Sequence, residues 1–191
     1  AFKKKLFRKQ LFHRLSIHSK LAITMTLLLI VSGTVLFLVL EWSNPDTLGA
    51  LPVGKRWLAA LFQSVTTRTA GFATIPQENF TDAGSIVTML LMFIGGSPAG
   101  TAGGVKTTTI AMIVITVIMV VKGKQETELF KRRIPKDNIR TGLAVVSISA
   151  MILLTGILVL SCIEQASLLN VVYEAVSALG TVGLSRNFTG T

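Results

Sequence analysis

The amino-acid sequence predicts an all-α membrane protein built from repeated units. Each unit is a membrane span, a re-entrant pore helix and a returning span, and the second span of the first unit is broken by an intramembrane loop. Three observations carry this expectation. Half of the 191 residues are hydrophobic and the mean hydropathy is +0.64, a membrane composition before any motif is read. The formal charge of +10 is unevenly spread: of 19 Lys and Arg, seven lie within residues 1–20 and seven within 122–140, each cluster bordering a long apolar run. Two apolar stretches too short to cross a bilayer, WLAALFQSVTTRTAGF at 57–72 and LNVVYEAVSALGTVGL at 169–184, each run into a Thr-x-Gly sequence.

Residues 1–20 read as a basic cytoplasmic linker lying against anionic headgroups, and His13 and His18 within it as solvated or headgroup-facing imidazoles rather than metal ligands. Residues 21–40 carry no charge and have the length of a span. Glu41 and Trp42 mark its far interface, and Asn44-Pro45-Asp46 with Pro52 supplies turn chemistry for an outer loop. A half-helix is expected to start near Arg56 and Trp57; ten helical residues cover roughly 15 Å, half the hydrocarbon thickness. Residues 84–121 then form a 38-residue stretch whose one charge is Lys106. As a continuous helix it would run about 57 Å, far beyond a bilayer core. Its centre, residues 95–108, holds five glycines and Pro98, poor helix material. The expectation is two half-helices, 84–94 and 109–121, joined by an irregular loop inside the membrane. Residues 122–140 form a second cytoplasmic linker, 141–162 the next span with Glu164 at its outer end, and 170–178 the second half-helix. The resulting segments are 1–20, 21–121, 122–140 and 141–191. The positive-inside rule puts both basic segments in the cytoplasm of a multi-pass plasma-membrane protein, with the Thr-x-Gly loops toward the outside. The chain opens on Ala1 and stops at Thr191, just past the second motif, and is expected to be part of a longer protein.

Thr69-Ala70-Gly71-Phe72 and Thr181-Val182-Gly183-Leu184 resemble the Thr-Val-Gly-Tyr-Gly filter of potassium channels. A dehydrated cation needs oxygens in place of lost water, and backbone carbonyls supply them without burying a fixed negative charge. Gly71 and Gly183 can adopt the backbone angles this requires without a Cβ penalty. Thr69 and Thr181 are candidate hydroxyl and carbonyl ligands at the inner end, with Ala70 and Val182 facing away against their half-helices. The partly negative C-terminal ends of the half-helices favour a cation nearby. Each copy has one filter glycine, with Ala73 or Ser185 where a second would sit, so fewer complete ion sites are expected than in a channel. The alternative is that Thr-x-Gly is a tight turn between packed helices. Gly71 and Gly183 stand 112 residues apart, and an Asn-Phe-Thr follows each motif, at Asn79-Phe80-Thr81 and Asn187-Phe188-Thr189. Both match a glycosylation sequon but read better as a recurring loop. Both copies start from a basic segment and so share one orientation, which favours a pore about an axis normal to the membrane over an inverted-repeat transporter.

Other chemistries fit poorly. Basic charge gathered beside apolar runs leaves no soluble domain for nucleic acid. Cys162 alone makes no disulfide or Cys-based metal cluster within the chain and is expected to be a small packing residue. A phosphate loop fails because Gly95-x4-Gly100 is followed by Thr101 where Lys is needed, and Val105 precedes Lys106. Asp82, Glu41, Glu164 and Glu174 gather with no His or second Cys into an enzyme site. Arg68 and Arg186 flank the motifs, where they either set an electrostatic barrier or tie a loop to carbonyls and acids. Lys106 is either functional or paired with carbonyls of the broken helix.

SVTTRTAGF, IGGSPAGTAGGVKTTT and SALGTVGLS together resemble the membrane subunit of the Ktr/Trk potassium transporters, KtrB more closely than TrkH, over essentially the whole chain. The resemblance implies four span–pore–span units around one pore, this chain covering the third unit, its inner linker and the first half of the fourth. It implies potassium uptake without enzymatic chemistry. Thr69, Ala70, Gly71, Phe72, Thr181, Val182, Gly183 and Leu184 would be two of four filter strands binding K+ at backbone carbonyls. Gly95, Gly96, Ser97, Pro98, Ala99, Gly100, Thr101, Ala102, Gly103, Gly104 and Lys106 would form a gate below the filter. K+ would be the transported ion, Na+ an activator or coupling ion, and no organic cofactor is expected in this chain. Implied partners are the remaining pore units, a second copy as a homodimer, a cytosolic nucleotide-binding ring contacting 122–140, and the lipid bilayer. A secondary active transporter with a midplane site, and a membrane scaffold without transport, are the competing readings.

Overall fold

The computed structural model describes residues 15–98, 101–123, 128–129, 132–133 and 135–186, and six α-helices dominate among these described residues. His13 and the rest of 1–14, Ala99 and Gly100, much of the second basic linker, and Asn187-Phe188-Thr189 lie outside the described residues.

Helix α1 (Ile17–Glu41) is capped by Ser16, whose hydroxyl accepts from Ser19 N, and its uninterrupted apolar run carries it about 37 Å. Helix α2 (Val53–Thr66) begins three residues before Arg56, the expected start, because Pro52 precedes it. Proline holds φ near the helical value, and its carbonyl accepts from Lys55 N (2.8 Å) and Arg56 N (3.1 Å). Helix α3 (Asp82–Phe93) is capped by the Thr81 hydroxyl, and α4 (Thr107–Val121) follows the glycine-rich segment. Helix α5 (Lys136–Ile163) begins five residues before the expected Thr141. Pro135 precedes it, and Asp137 in its first turn complements the helix dipole, so a polar turn extends the span. Helix α6 (Leu168–Gly180) is capped by Ser167. Strands β1 (Glu128–Leu129) and β2 (Arg132–Arg133) form a two-residue antiparallel ladder within the second linker.

Helices α1 and α5 are both long and apolar enough to cross a membrane. Helix α1 packs on α2, α3 and α4, while α6 packs on α3 and α5. Helices α1 and α2 approach closely at Gly33, where an added Cβ would lie 2.4 Å from Ser64 Oγ, a small-residue contact of the kind membrane helices use. One apolar cluster joins Leu29, Phe37, Leu48, Ala60, Phe80 and Leu91; a second joins Met92, Tyr173, Val176, Val182 and Leu184 across α3, α6 and the second Thr-x-Gly loop. Along α5 only Gly142 is buried, and Met151, Leu154, Leu158 and Ile163 are each more than 60% exposed. So large an apolar surface is stable against lipid or a further helix, not against water. Cys162 near its end is exposed rather than packed.

Candidate functional site

Both Thr-x-Gly sequences lie at helix ends and share an unusual backbone. Thr69 and Thr181 have φ of 72° and 51°, and Gly71 and Gly183 have φ of 77° and 87°. They are the only non-glycine residues with positive φ among the described residues. For a β-branched residue the left-handed region is a real outlier, costing roughly 1–3 kcal/mol, and such outliers collect at functional sites. Two of them 112 residues apart, each two residues before a left-handed glycine, make one conformation used twice.

The loops meet. A Cβ on Gly71 would fall 2.0 Å from the Val182 carbonyl oxygen, so the backbone of one loop is laid against that of the other. A Cβ on Gly183 would touch nothing within 4 Å. Their side chains differ in surroundings. Val182 and Leu184 are buried (5% and 2%) against α3 and α6, whereas Ala70 is exposed and Phe72 is 71% exposed. Val182 thus packs inward as expected, and Ala70 does not.

Different groups hold each loop in place. The Thr66 hydroxyl accepts from Phe72 N (2.8 Å) and donates to Phe72 O (2.7 Å), fixing both ends of that residue. In the second loop the Glu174 carboxylate on α6 accepts from Ser185 Oγ and from Arg186 N (3.1 Å). Arg186 also ties the second loop to the first unit, donating to Ser85 Oγ and to the carbonyls of Phe80 (3.5 Å) and Glu78 (3.2 Å), and to its own α6 through Asn170 Oδ1 (3.2 Å). Arg68 instead reaches α1, donating to the Thr26 carbonyl at 3.3 Å.

The glycine-rich segment doubles back between α3 and α4. Ile94 and Val105 pair as an isolated parallel bridge, with Val105 N donating to Phe93 O at 3.0 Å and Thr107 N to Gly96 O at 3.3 Å. A Cβ on Gly95 would lie 1.9 Å from the Gly103 carbonyl oxygen, so the two arms cross where only glycine fits. The segment touches the structures around it at several points. Ser97 Oγ hydrogen-bonds Thr26 Oγ1 on α1 (3.1 Å), Gly104 N donates to Leu179 O (3.3 Å), and Gly103 N donates to Thr181 Oγ1 (2.9 Å). Lys106 donates to the Ala102 carbonyl. Pro98 and the exposed Thr101 border the undescribed Ala99 and Gly100.

Several residues that organise the site are not singled out by motif. Glu41 is fully buried and accepts from Asn44 Nδ2 (2.7 Å), Thr47 Oγ1 (2.8 Å), Thr81 N (3.0 Å) and Thr81 Oγ1 (2.6 Å). Charge-assisted bonds of this kind are strong, and they join the end of α1 to the start of α3. Tyr173 OH on α6 donates to Gln77 Oε1 (3.0 Å), which also accepts from Gln63 Nε2 (2.7 Å) on α2. The sequence signal for Glu41 is an acid ending an apolar run beside Trp; buried glutamines leave none, because burial is set by distant chain.

A family profile named TrkH and described as "Cation transport protein" matches residues 1–189. The chain is 39% identical over 178 residues to "Ktr system potassium uptake protein B" of Vibrio alginolyticus, covering 93% of this chain and 39% of that protein. It is 41% identical over 184 residues to the protein of the same name from Bacillus subtilis, covering 96% and 41%. It is 37% identical over 185 residues to "Potassium/sodium uptake protein NtpJ" of Enterococcus hirae, covering 93% and 41%. The chain therefore spans about two fifths of the length of these relatives.

Proposed function

The chain belongs to the TrkH family of cation transport proteins, and from that premise we propose that it supplies two strands of a potassium filter and the gate beneath them. The family consists of transporters, not enzymes. The observation that carries the proposal is the repeated left-handed Thr-x-Gly backbone, with Gly71 laid against the Val182 carbonyl. Alternation of left-handed residues with residues that are not left-handed turns successive carbonyls toward one side, the arrangement a dehydrated cation needs. Thr69, Ala70, Gly71 and Phe72 form one strand; Thr181, Val182, Gly183 and Leu184 form the next. The same step repeated would lay a third strand's carbonyl over Gly183, completing a ring with units elsewhere in the full-length protein.

In this reading the chain is the third pore unit and the first half of the fourth. Helices α1 and α5 are first spans, α2 and α6 pore helices, and α3 and α4 halves of a broken second span. Both basic linkers face the cytoplasm, where 122–140 contacts a nucleotide-binding ring. The 95–106 segment lies under the filter and blocks it. Na+ is an activator or coupling ion in this reading, in keeping with the name of the Enterococcus hirae potassium/sodium uptake protein. Potassium-analogue uptake by the full-length protein tests the gate: deleting residues 97–104 should raise flux severalfold. Lost flux with normal assembly would remove the gate from the account.

A further inference from the structure

The 101–105 arm of the glycine-rich segment docks on a group that the proposed filter uses itself. Gly103 N–H points its positive end at Thr181 Oγ1 from 2.9 Å, and Gly104 N–H holds the arm beside it on the Leu179 carbonyl at 3.3 Å. The approach is tight: a Cβ on Gly103 would lie 2.5 Å from the same Oγ1. Thr181 is nonetheless exposed, and with Ser177, Gly183 and Ser185 it lines an open cavity of about 480 Å³. Thr181 therefore borders both the arm and the space beside the loop backbone. Among the described residues the first loop shows no such bond: a Cβ on Gly96 would come only to 3.7 Å from Thr69 Oγ1.

A cation on Thr181 Oγ1 would sit next to the positive end of the Gly103 N–H dipole, and the two repel. We infer that Thr181 is a shared ligand: the innermost cation site and the 101–105 arm compete for its hydroxyl oxygen, so filter occupancy and arm docking oppose each other. This rests on the filter and gate reading above. By linkage the effect is reciprocal. Cation binding undocks the arm by the same factor by which docking weakens cation binding. Potassium entering the filter would then release the gate, and a filter emptied of potassium would hold it. Among the described residues, the Gly103 contact assigns this role to Thr181.

The test uses the full-length protein in liposomes, with the exposed Cys162 and any other cysteine replaced by Ser and Thr101→Cys as reporter. The rate of Thr101→Cys modification by a charged methanethiosulfonate, applied from the side of the basic linkers, is followed as K+ replaces choline. The expected result is a rate about fivefold or more higher in saturating K+, the low end of typical coupling. Thr181→Val, which keeps the shape and removes the acceptor, should give a fast rate indifferent to K+. Thr181→Ser should restore the K+ dependence. A rate indifferent to K+ with Thr181 intact, or K+ dependence surviving in a Thr181→Val protein that elutes as assembled, would overturn the inference. The filter reading fails separately, if Gly183→Ser leaves potassium-over-sodium uptake unchanged. Lowered discrimination together with K+-indifferent labelling would keep the filter and remove only the shared ligand.

Discussion

At Gly71 and Gly183 one conformation meets two surroundings. Both have left-handed φ, where any L side chain costs about 1–2 kcal/mol. At Gly71 the Val182 carbonyl also occupies the space a Cβ would need, whereas Gly183 has room. Gly183→Ala should therefore assemble, and Gly71→Ala should lose most of its assembled fraction, because a backbone oxygen cannot step aside as a side chain can. Size-exclusion profiles of the two full-length variants, run in parallel, check this, and equal yields would contradict it. Glu41 is the second residue whose environment decides its role. Glu41→Gln replaces one acceptor oxygen by a donor facing donors, at a cost of about 1.5–3 kcal/mol for a bond to a charged group. The thermal midpoint of the detergent-solubilised protein should fall by several degrees, while an unchanged midpoint would mean the carboxylate is dispensable.

Helices α1 and α5 are legible in the sequence because a long uncharged run has one stable outcome in a bilayer. Their bounds are less so. Pro52 and Pro135 each start a helix earlier than hydropathy suggests, since a proline's fixed φ organises a polar first turn that an apolar count passes over. The break between α3 and α4 is legible from glycine and proline content, but the crossing of Gly95 and Gly103 is not, because composition does not say which glycines touch. The Thr-x-Gly sequences are readable as motifs, and the pairing of Gly71 with Val182 is not, since contacts across more than a hundred residues leave no local trace. Between elements, Tyr173 on α6 reaches Gln77 and through it Gln63 on α2. Tyr173→Phe should cost about 1 kcal/mol, the net worth of one hydrogen bond. A chemical-denaturation midpoint lowered by that amount, with uptake retained, is the expected result.

Across the whole molecule, the two loops are held together by interactions from both sides. Arg186 staples the second loop to the chain around α3, the Met92–Leu184 cluster packs beneath, and the glycine-rich segment bonds to the Thr181 end. Among the described residues the apolar flank of α5 stays uncovered, as suits a face turned to lipid or to a further helix. In the proposed filter, function depends on the pair of loops, not on either alone, because one strand gives a cation oxygens on one side only. The most direct test is the ratio of potassium to sodium uptake by the full-length protein carrying Gly183→Ser. If the loops are adjacent strands of one filter, straining the left-handed position should lower that ratio while the protein still assembles and still takes up cations. A ratio equal to that of the unaltered protein would contradict the account.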